Sequence, residues 1–170
     1  MLKDPKEILE KAVEQYGNAL YWHIRRLVVG HDDAEDALQE TFMKIYTKAS
    51  SFSGEESSFR AWVYSIATRE ALQVLRRRKH IFQSLDSVGG ELAEQVAAES
   101  PSNADRSAIL LQKAILSLST QQRIVFNLRY YDELSYEQIA EITGKSEGTL
   151  RTNYHYATEK VKEYLKEHAI

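Results

Sequence analysis

The stretch LSYEQIAEITGKSEGTLRTNYHYATEKVKEYL, Leu134 to Leu165, reads as two helices joined by a tight turn. Ser135 is a good N-cap, and Gln138 three residues on makes a capping box with it. Leu134 before that cap and Ile139 after it are spaced for a hydrophobic staple. Ile139, Ala140 and Ile142 supply the apolar side of the first helix. Gly144 is placed to end it in a left-handed conformation. Ser146 can cap the second helix, and Glu147 puts an acid in its first turn, where the helix dipole favours one. In that second helix Leu150, Tyr154, Ala157, Val161 and Leu165 form a buried seam, and Gly148, Arg151, Thr152 and His155 form the opposite stripe. Such a pair is the helix-turn-helix, whose second helix enters the DNA major groove. Arg151 can donate two hydrogen bonds to a guanine edge or hold a phosphate, and Thr152 can contact either. A plain helical hairpin with a solvated polar face is the alternative; the agreement of caps, turn glycine and face argues against it.

The rest of the 170 residues reads as helix too. With 43% hydrophobic and 28% charged residues, the composition is that of an ordinary globular protein rather than a disordered chain. Strand-like alternation is absent, and Gly and Pro are sparse, so the class is all-α. No Cys is present, which excludes disulfides and thiolate zinc sites and is compatible with a reducing cytoplasm. The N-terminus MLKDPKEILEKAVEQYG is charged and amphipathic rather than signal-like, and no apolar run is long enough to span a bilayer.

The net charge of −3 argues weakly against DNA binding, but its distribution says more. Residues 1–79 hold 13 basic and 12 acidic side chains, residues 80–105 hold 5 acidic and no basic ones, and residues 106–170 hold 9 basic and 8 acidic ones. Two nearly neutral blocks thus flank an acidic connector. The connector, Ser84 to Arg106, is punctuated by Gly89-Gly90 and Ser100-Pro101-Ser102-Asn103 and reads as a flexible linker. The expected division is a helical domain over 1–80, a linker over 81–105 and a helix-turn-helix domain over 106–170.

In the first block, Ile8, Ala12, Val13, Tyr16, Leu20, Ile24, Leu27 and Val28 recur with helical period from Pro5 to about Val29. Gly30-His31 breaks the run. Asp32 is placed to cap the next helix, with Glu35 completing a capping box, and its apolar face is Ala34, Ala37, Leu38, Thr41, Phe42 and Ile45. Ser51 to Ser58 is a polar loop around Gly54. A third helix is expected from about Phe59 to Lys79, with Phe59, Trp62, Val63, Ile66, Ala67, Val74 and Leu75 inward. The second block opens with a helix ending near Leu118, and Ser119 with Gln122 makes another capping box.

No enzymatic constellation is present. His23, His31, His80, His155 and His168 lack metal-ligand spacing, no Gly-rich phosphate loop follows a strand, and nothing gathers a Ser, a His and an acid. The expectation is no catalytic residue, no metal, no cofactor and no small-molecule substrate. Arg76-Arg77-Arg78-Lys79 is the densest basic run; it suits either a solvated helix end or nucleic-acid phosphates. Tyr64 lies off the apolar stripe with Arg60 and Thr68, which makes it the candidate for stacking on an unpaired base. Glu35, Asp36, Gln39 and Glu40 form an acidic outer face that suits a basic helical partner.

Three stretches together resemble the extracytoplasmic-function group of bacterial RNA polymerase sigma factors. DAEDALQETFMKIY, Asp33 to Tyr46, is similar to the segment that grips the polymerase clamp. FSGEESSFRAWVYSIATREALQVLRRRK, Phe52 to Lys79, resembles the segment that melts and reads the −10 promoter element. LSTQQRIVFNLRYYDELSYEQIAEITGKSEGTLR, Leu118 to Arg151, resembles the segment that reads the −35 element. The resemblance implies a cytoplasmic, non-enzymatic initiation factor whose partners are core RNA polymerase, promoter DNA and an anti-sigma factor, with no direct membrane insertion. It implies polymerase contacts at Asp36, Gln39, Glu40 and Phe42. It implies −10 and melting contacts at Ser53, Glu55, Ser57, Arg60, Tyr64, Arg69, Arg76 and Arg77, with the loop from Ser53 to Ser58 holding a flipped base. It implies −35 contacts at Ser146, Gly148, Thr149, Arg151, Thr152, His155 and Tyr156. The chain departs from the family pattern in three places. Its loop carries one extra residue with Ser53 in place of an arginine, Asn153 and Tyr156 replace arginines of a basic string, and Arg69 stands where a small polar residue is frequent. Two other readings fit parts of the chain. A polymerase-independent repressor or activator explains only the last block, and a helical module that binds proteins alone is favoured by the missing arginines.

Overall fold

The computed structural model describes residues 4–79 and 106–169, and every regular element among them is helical, as expected. The connector expected from Ser84 lies outside the described residues up to Arg106.

Helix α1 spans Pro5–Val28. Asp4 caps it by accepting from the Lys6 amide at 3.0 Å, and Pro5 occupies the first turn, where its missing N–H costs nothing. Ile8, Ala12, Leu20, Ile24, Leu27 and Val28 are buried. Val13, expected among them, is 46% exposed, because it lies one residue, about 100° of helix, past Ala12.

The break after α1 is a γ-turn at Val29, with φ 71 and ψ −54, closed by Gly30 N–H donating to the Val28 carbonyl at 2.9 Å. Positive φ is unfavourable for a β-branched residue; the Arg25 side chain, bonded to the Val29 carbonyl, helps to hold it. The turn feeds the chain straight into α2, His31–Lys48, with Gly30 as N-cap and Ala34 N–H donating to the Gly30 carbonyl at 3.0 Å. The capping box expected from Asp32 and Glu35 therefore does not form. Asp32 and Asp33 lie inside the first turn, where they still complement the dipole.

A 3₁₀ turn, Ala49–Ser51, extends α2. Helix α3 spans Glu56–Lys79, starting three residues before the expected Phe59.

The second block comprises α4 (Arg106–Leu116), α5 (Thr120–Tyr130), α6 (Tyr136–Thr143) and α7 (Glu147–His168). Ser119 caps α5, accepting from Gln122 N–H at 3.3 Å. The reciprocal half of that box is missing, because the Gln122 side chain accepts from Lys160 Nζ at 3.2 Å. At α6 the box is complete: Ser135 Oγ accepts from Gln138 N–H at 3.1 Å, and Gln138 Oε1 accepts from Ser135 N–H at 3.0 Å. Gly144 ends α6 at φ 76, and Ser146 caps α7 through Thr149 N–H at 3.2 Å.

The two blocks pack on each other, α3 against α6 and α1 against α5. One apolar cluster takes Ile8, Leu20, Ile24 and Tyr64 from the first block and Ile124, Leu128, Leu134, Ile139 and Leu150 from the second. Each large side chain buried there contributes about 1.5–3 kcal/mol. A smaller cluster built on Ala114, Ile115, Phe126, Ala157 and Val161 ties α4, α5 and α7 together. Among the described residues no helix is long and apolar enough to cross a membrane.

Candidate nucleic-acid interface

The outer stripe of α7 stands in solvent. Ser146, Gly148, Thr149, Arg151, Thr152, His155 and Tyr156 are all exposed. Their neighbours on the same helix pair order them. Arg151 reaches Glu147 at 3.4 Å and lies 5.1 Å over the Tyr136 ring. Thr152 Oγ1 donates to the Gly148 carbonyl at 3.1 Å. The seam beneath is as expected at Leu150, Ala157 and Val161, with Tyr154 and Leu165 half-buried.

On α2, Asp36, Gln39 and Glu40 are exposed, and Phe42 is half-buried against the first block's core. Met43 is 60% exposed one turn beyond them, an apolar addition to this acidic face that charge patterning alone passes over. Its spacing from Gln39 and Glu40, four and three residues, is the signal that places it there.

The loop before α3 walls a cavity of about 410 Å³ together with α1. Ser53 and Glu55 are exposed at its rim, Ser57 is exposed outside its lining, and Phe52 and Phe59 form aromatic walls. Gly54 is required by space: a Cβ there would stand 2.9 Å from the Phe52 ring. Ile8 and Lys11 of α1 complete the lining. Lys11 bonds Glu56 and lies 4.5 Å over the Phe59 ring. Sequence reasoning missed Lys11, because only the passage of α1 beside the loop brings it to the cavity.

Arg60 and Tyr64 do not face solvent. Tyr64 and Thr68 are buried and Arg60 is half-buried: His23 of α1 packs on Tyr64 and Thr68, and the second block meets Arg60 and Tyr64. The expected stacking tyrosine is thus withdrawn in this conformation. Tyr64 donates its phenol proton to Asp132 Oδ1 at 2.9 Å, and Arg60 Nη2 donates to the Asp132 carbonyl at 2.9 Å. Asp132 lies in the α5–α6 turn, where the next residue, Glu133, sits in the left-handed region at φ 53. Arg26 Nη1 and His23 Nδ1 of α1 approach Asp132 Oδ2 at 3.7 and 3.8 Å. Arg26 also lies 4.2 Å over the Tyr131 ring.

Protonation follows from this geometry. Thr68 Oγ1 lies 2.8 Å from both the Tyr64 carbonyl and His23 Nε2, and His23 Nδ1 faces the Asp132 carboxylate. Burial, and next the Arg26 charge, lower the His23 pKa to about 3. The ring is therefore neutral despite Asp132, which stands too far off for a hydrogen bond. Burial pushes Asp132 above the usual carboxylate range, against the Tyr64 hydrogen bond and the Arg26 and Arg60 charges. Burial, then Asp132, raises the Tyr64 phenol well above the usual tyrosine range.

Arg69, expected beside Arg60 and Tyr64, is exposed elsewhere. Nine residues separate it from Arg60, about half a turn around the helix. It borders a shallow depression with Lys44, Lys48, Glu70 and Gln73. Arg76 and Arg77 are exposed, and Arg78 bonds Asp33 of α2.

Comparison with known proteins places these surfaces in one family. The profile of Sigma-70 region 2 matches residues 12–81, and that of Sigma-70 region 4 matches residues 108–161. The RNA polymerase sigma factor YlaC of Bacillus subtilis is 32% identical over 165 residues, covering 94% of this chain and 93% of that protein. The ECF RNA polymerase sigma factor SigW of the same organism is 29% identical, covering 97% and 92%. The ECF RNA polymerase sigma factor SigE of Mycolicibacterium smegmatis is 30% identical over 94% of this chain, which spans 62% of that longer protein. The fold matches the sigma factor RpoE of Bartonella quintana, solved with the anti-sigma factor NepR, with TM-score 0.69, 24% identity and coverage of 92% and 96%. It also matches CnrH, solved with the cytosolic domain of CnrY, with TM-score 0.70, 20% identity and coverage of 95% and 89%.

Proposed function

We propose a function that proceeds from family membership: the chain belongs to the sigma-70 family of RNA polymerase sigma factors, in its extracytoplasmic-function group, and is a promoter-directing transcription initiation factor. The observation that carries the finer reading is the exposed, ordered stripe of α7 on a fully capped helix pair. Arg151, Thr152, His155 and Tyr156 read the −35 element in the major groove, and Ser146, Gly148 and Thr149 bring the helix N-terminus to the backbone.

The remaining surfaces have distinct roles in this reading. Asp36, Gln39, Glu40 and Phe42, with Met43 beside them, dock on the clamp of core polymerase. The cavity between α1 and the Ser53–Ser58 loop holds a flipped −10 base against Phe52 and Phe59. Arg60, Tyr64, Arg76 and Arg77 contact the opened strand, and Arg69 anchors a phosphate on the separate side it shares with Lys48. The first domain spans 1–80, a linker follows to 105, and the second domain spans 106–170. The protein acts in the cytoplasm, performs no chemistry of its own, and is held inactive by an anti-sigma factor. That last role is extended from the sigma factor RpoE of Bartonella quintana, whose structure contains the anti-sigma factor NepR.

Run-off transcription with purified core polymerase and genomic templates tests the reading. The expected result is a small set of transcripts that appear only when the chain is added. Transcripts that are the same with and without it contradict the reading.

A further inference from the structure

Glu147 occupies the first position of α7, at the head of the exposed stripe. In a helix-turn-helix the N-terminal residues of the second helix meet the base edges. The way in is clear beside it: a Cβ built on Gly148 would meet nothing within 4 Å. An acid here suits the helix dipole, and that alone could explain it. Its neighbours set it apart. Arg151, one turn on, donates from Nη2 to Glu147 Oε1 at 3.4 Å. The same guanidinium lies 5.1 Å over the Tyr136 ring, and Arg129 of α5 lies 4.7 Å over it. Arg129 is itself tied to the Leu134 carbonyl at 2.9 Å. Tyr154 of α7 meets the Tyr136 ring edge-on, and Tyr136 is half-buried against the main apolar cluster. Exposed ion pairs on a helix are ordinarily loose and contribute little. This one rests on a ring that side chains of α5 and α7 hold in place.

We propose that Glu147 and Arg151 act as one donor–acceptor unit that reads a single G·C base pair, Arg151 donating to guanine and Glu147 accepting from the amino group of its cytosine, with Tyr136 positioning the unit. Spacing favours this ligand. In the major groove a G·C pair presents guanine N7 and O6 as acceptors and cytosine N4 as a donor. O6 and N4 are hydrogen-bonded to each other, so they stand about 2.9 Å apart. Arg151 Nη2 and Glu147 Oε1 are 3.4 Å apart, so both can face the edge of one base pair without separating. Each keeps capacity for it: the guanidinium has further N–H donors, and the carboxylate has further lone pairs. An A·T pair in the same orientation sets thymine O4, an acceptor, against the carboxylate. Attraction thus comes from Arg151 and rejection from Glu147. Tyr136 acts through Arg151, because a planar guanidinium laid on a fixed ring has less freedom to lose when it engages a base. The inference rests on the −35 reading, and adds to it the base pair read and the acid that selects it.

A solvated ion pair behaves differently. A carboxylate that touches no base repels the phosphates of every duplex alike, so its removal strengthens binding to all sequences equally. A carboxylate that reads a base changes the ranking of sequences at one position.

The test uses the full chain with core polymerase and a pool of promoter duplexes randomised over the −35 element, with the bound fraction sequenced. The position whose preference disappears in Arg151→Ala marks the base pair in question, and wild type is expected to favour G·C there. Glu147→Gln is expected to reduce the preference for G·C over A·T at that position by about fivefold or more, the lower end of the usual cost of one mismatched pair, because an amide can donate to thymine O4. The other positions should keep their ranking. Tyr136→Leu is expected to reduce the same preference by about two- to fivefold, and Tyr136→Phe to retain it. A Glu147→Gln profile equal to that of wild type, or strengthened alike at every position, overturns the proposal. So does a wild-type preference for another base pair at the Arg151 position, or an Arg151→Ala profile that loses no position. An unchanged profile in Tyr136→Leu overturns the positioning role. A wild-type chain that enriches no sequence defeats the −35 reading and this inference with it; one that enriches a sequence, with the Glu147→Gln profile unchanged, defeats the inference alone.

Discussion

The outer stripe of α7 and the polar face of α3 each present an arginine and a tyrosine, yet one stands in solvent and the other is covered. Arg151 is ordered by Glu147, four residues away on its own helix, and by Tyr136 of the neighbouring one. Arg60 and Tyr64 are ordered by Asp132, 72 and 68 positions further along the chain. The first surface is made by local structure and stays accessible whenever the helix pair is folded. The second exists as a surface only when two distant blocks separate. A difference of this kind orders the steps of function: duplex reading by α7 needs no rearrangement, and contact with an opened strand does.

The comparison breaks most visibly at Tyr64. Tyr64→Ala removes a fully buried ring and the hydrogen bond to Asp132, and is expected to lower stability by about 3–5 kcal/mol in urea denaturation. A loss under about 1 kcal/mol shows that the α3 face is not covered in solution.

Acid is the next lever. His23 is neutral in the folded chain, with its pKa lowered to about 3, whereas the unfolded chain takes the proton near 6.5. The stability tied to a neutral His23 is therefore present above pH 6.5 and is lost as pH falls. Between pH 7.5 and pH 5 the loss is about 2 kcal/mol. Asp132, raised in the folded state, acts with the opposite sign and favours the folded chain toward acid. Comparing wild type with His23→Gln isolates the histidine: the variant's denaturation midpoint is expected to fall less on acidification, and parallel curves for the two contradict the assignment.

Smaller effects belong to the exposed helix pair. Ser135→Ala removes the hydroxyl half of the capping box at α6, leaving the backbone N–H that donates to Gln138, and is expected to cost about 1 kcal/mol, measured by thermal melting. Arg151→Ala removes only an exposed ion pair and a stacking contact, so stability should change by less than about 0.5 kcal/mol. The same change should weaken duplex recognition by the polymerase-bound chain by about 1–3 kcal/mol at the position that Arg151 reads, in a gel-shift series over single-base variants. A sensitive stability paired with insensitive DNA binding would reverse the roles given to the two faces.

What could be read from the amino acids follows the same division. The caps at Ser135 and Ser146, the left-handed Gly144 and the seam through Leu150, Ala157 and Val161 depend on neighbours within a few residues, and all are visible in the sequence. The start of α2 was not, because it depends on the γ-turn at Val29, and a positive φ on valine has no local signature. Lys11 as a wall of the loop cavity is legible only once α1 is known to pass beside that loop. The separation of Arg69 from Arg60 was legible from helical spacing alone. The burial of Tyr64 was not, since part of its cover, Asp132, belongs to the other block, and nothing within α3 states that a partner is present.

The most direct measurement of the closed arrangement is a distance between the blocks, obtained by pulsed electron paramagnetic resonance with spin labels on the exposed residues Gln73 of α3 and Glu137 of α6. The free chain is predicted to give one narrow distance, which lengthens when core polymerase and promoter DNA are added. A free chain that already shows the long distance of the complex contradicts the account.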